Sequence, residues 1–289
     1  MAYRMKREEP VSDAIKRIAR EELADAAVTL RARPNDTAIH EARKSLKKVR
    51  ALLRLVKSDL GSDYRAENAR LRGIGRRLSP LRDAKAMIEA VERIGEHHRV
   101  PVPVRNGLWR RKRLVEKRVG IQERAMAAAV ALDDERERVD QWPLETKGFA
   151  AIDRGFETAF RRGRKALATY RKTGHREDLH EWRKRVKDHW YHVRLLEDLW
   201  TEAMKGYEHA LKTLEDLLGE TLNLWMLHDQ LPPTHAAFAG TVERERKELL
   251  DRAMKVGEHA YSEKPRRLVK RVRCLWDQWI SQKVLRGAA

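Results

Sequence analysis

An all-α fold is what this 289-residue sequence predicts, and three observations carry the prediction. Helix-forming residues dominate and apolar alternation of period two is nearly absent, so no segment reads as a strand. Proline and glycine gather at a few separated points, leaving uninterrupted stretches of about 20 to 30 residues. A motif that starts at His40 returns at His180 and keeps its register into the next stretch, as a duplicated helical unit would.

The elements follow in order from the breaks. Helical stretches are interrupted at Arg33-Pro34-Asn35-Asp36, Gly61-Ser62, Val100-Pro101-Val102-Pro103, Trp142-Pro143, Thr173-Gly174, Leu231-Pro232-Pro233 and Lys264-Pro265. Asn35, Asp36 and Thr37 are the candidate N-caps of the stretch that carries His40. Trp182, Trp200 and Trp225 fall at core spacing and are expected to pack.

His40-Glu41-Ala42-Arg43-Lys44-Ser45-Leu46-Lys47 recurs 140 residues later as His180-Glu181-Trp182-Arg183-Lys184-Arg185-Val186-Lys187, with five of the eight positions identical. At the same offset Arg54-Leu55 meets Arg194-Leu195, and Leu71, Ile74 and Leu78 meet Leu211, Leu214 and Leu218. A chance motif would lose register at the next loop. The reading is therefore a single domain, 1–289, of two pseudo-symmetric antiparallel helical bundles, 8–140 and 145–289. The acidic run Asp133-Asp134-Glu135-Arg136-Glu137 and Trp142-Pro143 mark the boundary. Beyond about residue 235 the matches fade, so the second half is expected to end in a longer or broken helix.

Lys and Arg number 63 against 44 Asp and Glu, giving a formal charge of +19 and a pI of about 10.2. The partner should be anionic. With 42 % hydrophobic residues the chain can bury a sizeable core. The N-terminus has no apolar stretch after its charges and no run approaches the roughly 18 apolar residues that cross a bilayer, so the expectation is a cytoplasmic protein without a membrane partner. Cys274, the only cysteine, has no disulfide partner within the chain and is expected to be a buried or half-buried apolar residue.

On a helical wheel His40, Arg43, Lys47, Arg50 and Arg54 form one stripe beside Ile39, Ala42, Leu46, Val49 and Leu53. The second copy reads His180, Arg183, Lys187, Trp190 and Arg194 beside Leu179, Trp182, Val186 and Val193. Lys44 and Lys184, inside the repeated octet, flank the stripes. Like charges three or four apart repel, so a multivalent anion is the expected compensation. The plainer alternative is a solvated charged face, which the apolar flanks of both copies disfavour. His40 and His180 either contact the anion or cap and pack their helices.

These residues resemble the conserved histidine α-helical domain, the CHAD family, through paired helices opening His-x-x-Arg with further basic residues. The resemblance spans nearly the whole chain and implies two four-helix bundles, a basic cleft and binding of inorganic polyphosphate. Its motif falls on His40, Arg43, Lys47, Lys48 and Arg50, and on His180, Arg183, Lys187 and Tyr191. Leu81-Arg82-Asp83 and Leu222-Asn223 resemble the end of the family's third helix. Trp190 and Asp188 depart from the pattern and imply either a weaker grip in the second half or a Trp190 that only packs. Many relatives carry an N-terminal triphosphate-processing module, which is not expected here because the first repeat starts near residue 10. Association with polyphosphate granules is likewise what the resemblance implies.

Two further basic clusters could extend the track: Arg105, Arg110, Arg111, Lys112, Arg113, Lys117 and Arg118, and Lys264, Arg266, Arg267, Lys270, Arg271 and Arg273. Within them Arg110, Arg113, Lys270 and Arg273, together with Arg82, are the candidate extensions. Catalytic motifs are missing. His40-Glu41 and His180-Glu181 lack the second histidine of a zinc protease, since Lys44 and Lys184 stand there. No phosphate loop or nucleophile elbow is present, so neither catalysis, a cofactor nor a metal is expected; His97, His98, His189 and His192 would need further ligands. The competing readings are a nucleic-acid-binding protein, which would want aromatics among its cations, and an enzyme of polyphosphate metabolism, which would need carboxylates in the cleft.

Overall fold

The computed structural model describes residues 3–286, the side chains at 80–84, 118–119 and 282–286 excepted. Among the described residues there are twelve α-helices and no strand. Pro10 precedes α1 (Val11–Ala32), and the Asn35 side chain caps α2 (Asp36–Leu55) by accepting from the Ala38 amide at 2.9 Å. A single turn, α3 (Lys57–Leu60), ends at Gly61, and α4 (Asp63–Arg77) and α5 (Ser79–Gly95) follow. The Pro101 break leads into α6 (Val102–Val119) and α7 (Ile121–Arg138). The second half comprises α8 (Ala150–Thr173), α9 (Arg176–Leu195), α10 (Thr201–His228), α11 (Ala236–Ala260) and α12 (Pro265–Arg286).

The helices α2 and α9 begin and end 140 positions apart. The offset lapses where α10 runs straight through the position at which α4 gives way to α5 at Leu78. Pro80, in the first turn of α5, is the residue that marks this junction, and it is not among the breaks read from the sequence. Gly120, at φ +60°, splits α6 from α7; a lone glycine between Val119 and Ile121 gives little warning of it. The second half does end in two helices, α11 and α12, each longer than α6 or α7.

Packing follows the apolar stripes. In the first half α1 lies on α2 and α7, and α4 on α2 and α7. In the second, α8 lies on α9 and α12, α9 on α10, and α10 on α11. Helix α2 also touches α8 and α9, so one apolar core runs from Ile15 and Leu52 to Trp182, Phe160 and Trp276. Full burial of each large apolar side chain contributes about 1.5–3 kcal/mol. A smaller cluster joins the α5–α6 hairpin to α10 and α11 through Met87, Val91, Ile94, Leu224 and Phe238. No described helix is long and apolar enough to cross a membrane.

Three expectations about single residues need correction or placement. Cys274 is exposed, because α12 packs through Leu268, Val272, Leu275, Trp276 and Trp279 and leaves position 274 on its outer face. Trp200 is 54 % exposed: it stands in extended backbone before α10, outside the helical spacing that was to bury it. His189 and His192 lie in the core. Burial pushes the His189 ring, packed among Phe156, Phe160 and Tyr207, down to about 3, and His192, bonded to the Ala51 carbonyl at 2.9 Å, to about 4. His98 instead meets Glu245 at 2.7 Å.

Gly155 lets α8 approach α2 so closely that a Cβ there would run into the Leu55 carbonyl. Gly155→Ala is expected to cost about 3 kcal/mol in urea unfolding, because backbone must shift to make room. Gly73→Ala in α4, where a Cβ meets nothing within 4 Å, should instead stabilise by about 0.5–1 kcal/mol.

Candidate anion-binding site

The apolar stripes of α2 and α9 are buried as their spacing requires: Ile39, Ala42, Leu46, Val49, Leu53, Leu179, Trp182, Val186 and Val193 are all 2 % exposed or less. This orients the basic stripes. The helices meet where His192 bonds to Ala51, and Arg54 reaches across to Asp188 at 3.1 Å. Lys47 and Lys187 thereby come close enough to act on each other electrostatically.

Four cations and one carboxylate make the centre. Arg183 Nε lies 2.9 Å and Lys187 Nζ 2.7 Å from the same oxygen of Glu215, on α10. Burial opposes ionisation of that carboxyl, but Arg183 and Lys187 hold it ionised at about 2. In the first half the position 140 residues earlier is Gly75, and Arg43 donates to its backbone carbonyl instead. Arg43 also donates to Ser79 Oγ at 2.6 Å; the matching position, Gly219, leaves room for the Arg183 guanidinium, which a Cβ would approach to 2.6 Å. Corresponding positions thus contact the two arginines, with Glu215 supplying a charge to Arg183 where Gly75 offers Arg43 a carbonyl.

Lys47 has no hydrogen bond or ion pair of its own. Burial, then Lys187, Arg43 and Arg183, push its ammonium down to about 7, against the weaker pull of Glu215. Lys187 is lowered too, by burial first, although Glu215 counters it. Deep, partly dehydrated cations this close together are a region of high positive potential.

Around this centre the other candidates are placed variously. Lys44 pairs with Glu41 at 3.0 Å and Lys184 with Glu181 at 3.6 Å, as partly exposed pairs worth well under ~1 kcal/mol each. Arg50 donates to Asn68 at 3.0 Å, and burial and Arg54 lower it to about 10, which leaves it charged. Lys48 turns away to the α1 side, paired with Glu22. Tyr191 is 1 % exposed and stacks on Trp190, whose indole donates to Glu208 and carries Arg194 and Lys212 over its ring. His40 is half-buried one turn before Arg43, and His180 stands at the exposed start of α9. Partial burial and then Lys184 and Arg183 push the His180 ring below its ordinary range, so it is neutral at pH 7.

Of the candidate extensions, the four with described side chains lie on α6 and α12. Arg110 and Arg113 are exposed on α6, while their neighbour Lys112 pairs with Asp36 at the start of α2 at 2.8 Å. Lys270 is exposed on α12, and Arg273 pairs with Asp153 of α8 at 2.7 Å. Arg82 and Asp83 lie outside the described side chains. Among the described residues no group of three or more His, Cys, Asp or Glu could hold a metal ion. Sequence reasoning missed Glu215. Its signal was an acid set among Leu211, Leu214 and Leu218, on a face that otherwise reads as core.

Comparison with known proteins bears on the family and the fold. A family model described as CHAD domain matches residues 14–232. The crystal structure of the CHAD domain from the plant Ricinus communis superposes with a TM-score of 0.63 at 18 % identity, covering 91 % of this chain and 96 % of that one. PptA from Streptomyces chartreusis gives a TM-score of 0.53 at 16 % identity, covering 88 % of this chain and all of that one. At such identities the likeness shows the fold. No curated protein matches the chain.

Proposed function

The chain belongs to the CHAD domain family, and from that premise we propose that it binds inorganic polyphosphate along a basic groove between α2 and α9, in a fold of two pseudo-symmetric halves. The observation that carries the proposal is Lys47: a deeply placed ammonium, crowded by Lys187, Arg43 and Arg183, with no partner of its own. A folded protein that keeps such a group has electrostatic free energy to recover when an anion arrives. Phosphate oxygens placed along the groove would accept from Arg43, Lys47 and Lys187 in turn.

The chemistry favours bare phosphates over nucleotides. Trp190 and Tyr191, the aromatics nearest the stripes, are buried and stacked on each other, so they offer no face to a base. The proposed activity is capture without catalysis. The protein would then sit in the cytoplasm on polyphosphate wherever that accumulates as granules.

Competition at physiological salt tests the reading. Labelled long-chain polyphosphate should be retained against an equal charge of single-stranded DNA or RNA, and should dissociate steeply as salt rises, because each neutralised phosphate releases counterions. Equal displacement per charge would instead mark a generic basic surface and favour nucleic acid.

A further inference from the structure

A second basic concavity lies on the α8 side of the groove. Arg54, Lys57, Arg154, Arg161, Arg162 and Arg185 line a cavity of about 320 Å³, at the small end of the range for small-molecule sites. One carboxylate, Asp188, faces these six cations, and it is already shared by Arg54 and Arg185 at 3.1 Å each. The side chains of Arg154, Arg161 and Arg162 have neither an ion pair nor a hydrogen bond.

The corresponding positions of the other half show what a closed version looks like. Moving by 140 residues, Arg161 and Arg162 become Glu21 and Glu22, and Lys57 and Ser58 become Glu197 and Asp198. That acidic rim is neutralised from within. Arg4 pairs with Glu197 at 2.9 Å and Asp198 at 3.1 Å, Lys48 pairs with Glu22, and Arg17 with Glu21 at 3.2 Å. Tyr3 and Met5 are buried there, and the Met5 amide donates to the Leu195 carbonyl at 3.3 Å. On the α8 side the charges are inverted, and no segment of the described chain closes the cavity.

We infer that this cavity binds a compact oligophosphate, a run of three or so adjacent phosphates, through Arg154, Arg161 and Arg162. Three guanidinium forks suit phosphate oxygens, and the hydroxyls of Ser58 and Thr158 add donors on the lining. Gly155 and Ala159 supply its only apolar lining, so it has no anchor for a peptide side chain and no ring for a base. The oligophosphate arrives either as a free molecule or as the end of a longer chain lying in the α2–α9 groove, from which Arg54 is shared.

Titration calorimetry with tripolyphosphate at physiological salt tests this on the full chain with Arg43 and Lys47 already replaced by alanine, so that failure of the groove reading does not decide the outcome. One site is expected, weakened at least tenfold when Arg154, Arg161 and Arg162 are also replaced by alanine; all three side chains are exposed and circular dichroism should be unchanged. No binding in the first variant, or undiminished binding in the second, overturns the inference. The source is read on the otherwise unaltered protein with long-chain polyphosphate whose ends are free or blocked as phosphoramidates. A loss on the three arginine substitutions with free ends only identifies a chain end, and no loss with either identifies a free oligophosphate.

Discussion

Replacing Arg43 and Lys47 together by alanine should weaken long-chain polyphosphate binding by about 100-fold or more while leaving helicity intact. Each charge-assisted hydrogen bond to phosphate contributes about 1.5–3 kcal/mol, and tenfold in affinity corresponds to about 1.4 kcal/mol. The pair is suited to the test because Arg43 donates to the Gly75 carbonyl and to Ser79 Oγ, and neither it nor Lys47 is bonded to Glu215. Arg183 and Lys187 form the matching stripe of the second copy, and removing them as well would look like the natural extension. The structure advises against doing so by itself, since both serve Glu215, which is 4 % exposed. Stripping them leaves an uncompensated buried charge, at a cost of about 3–5 kcal/mol. Glu215→Gln in the same chain should restore most of that stability without restoring binding, and urea unfolding beside a binding isotherm separates the two effects.

Polyphosphate affinity should fall as pH rises above 7, with a slope approaching tenfold per unit and traceable to Lys47. In the free protein burial, Lys187, Arg43 and Arg183 hold this ammonium at about 7 against an ordinary 10.5. A bound anion favours the charged form and draws the value back up, so above pH 7 binding takes up a proton. Calorimetry at pH 8 in two buffers of different ionisation enthalpy should find about one proton taken up, and close to none for Lys47→Arg, which stays charged throughout. The sign for stability without ligand runs the other way. The unfolded lysine titrates near 10.5, so between pH 7 and 10.5 the unfolded chain holds more protons, and folding stability rises with pH across that window. Lys47→Met should lose that rise.

Much of this was legible in the chain. The motifs at His40 and His180 fall on α2 and α9, whose bounds lie 140 positions apart, because a helix that is buried on one side and basic on the other leaves period and charge in the same window. The apolar stripes were readable for the same reason. What stayed hidden depends on contacts between distant segments. Glu215, an acid on a core face, has no visible purpose until α10 is laid against α9 and brings Arg183 and Lys187 to it, and Lys48 belongs to the basic run until Glu22 of α1 draws it aside. Tyr191 sits one turn from Lys187 in sequence yet lies beneath the surface against Tyr3, which only the tertiary packing decides. Arg154, Arg161 and Arg162 look like an ordinary solvated face of α8, and their concavity arises from Gly155, which brings that helix onto the end of α2.

A structure of the protein with a long polyphosphate chain bound is the most direct measurement. The account predicts phosphate groups within hydrogen-bond distance, about 2.7–3.2 Å, of Arg43, Lys47 and Lys187, with the chain running between α2 and α9. Phosphates bound only to the exposed basic residues of α6 and α12, with the space around Lys47 unoccupied, would contradict it.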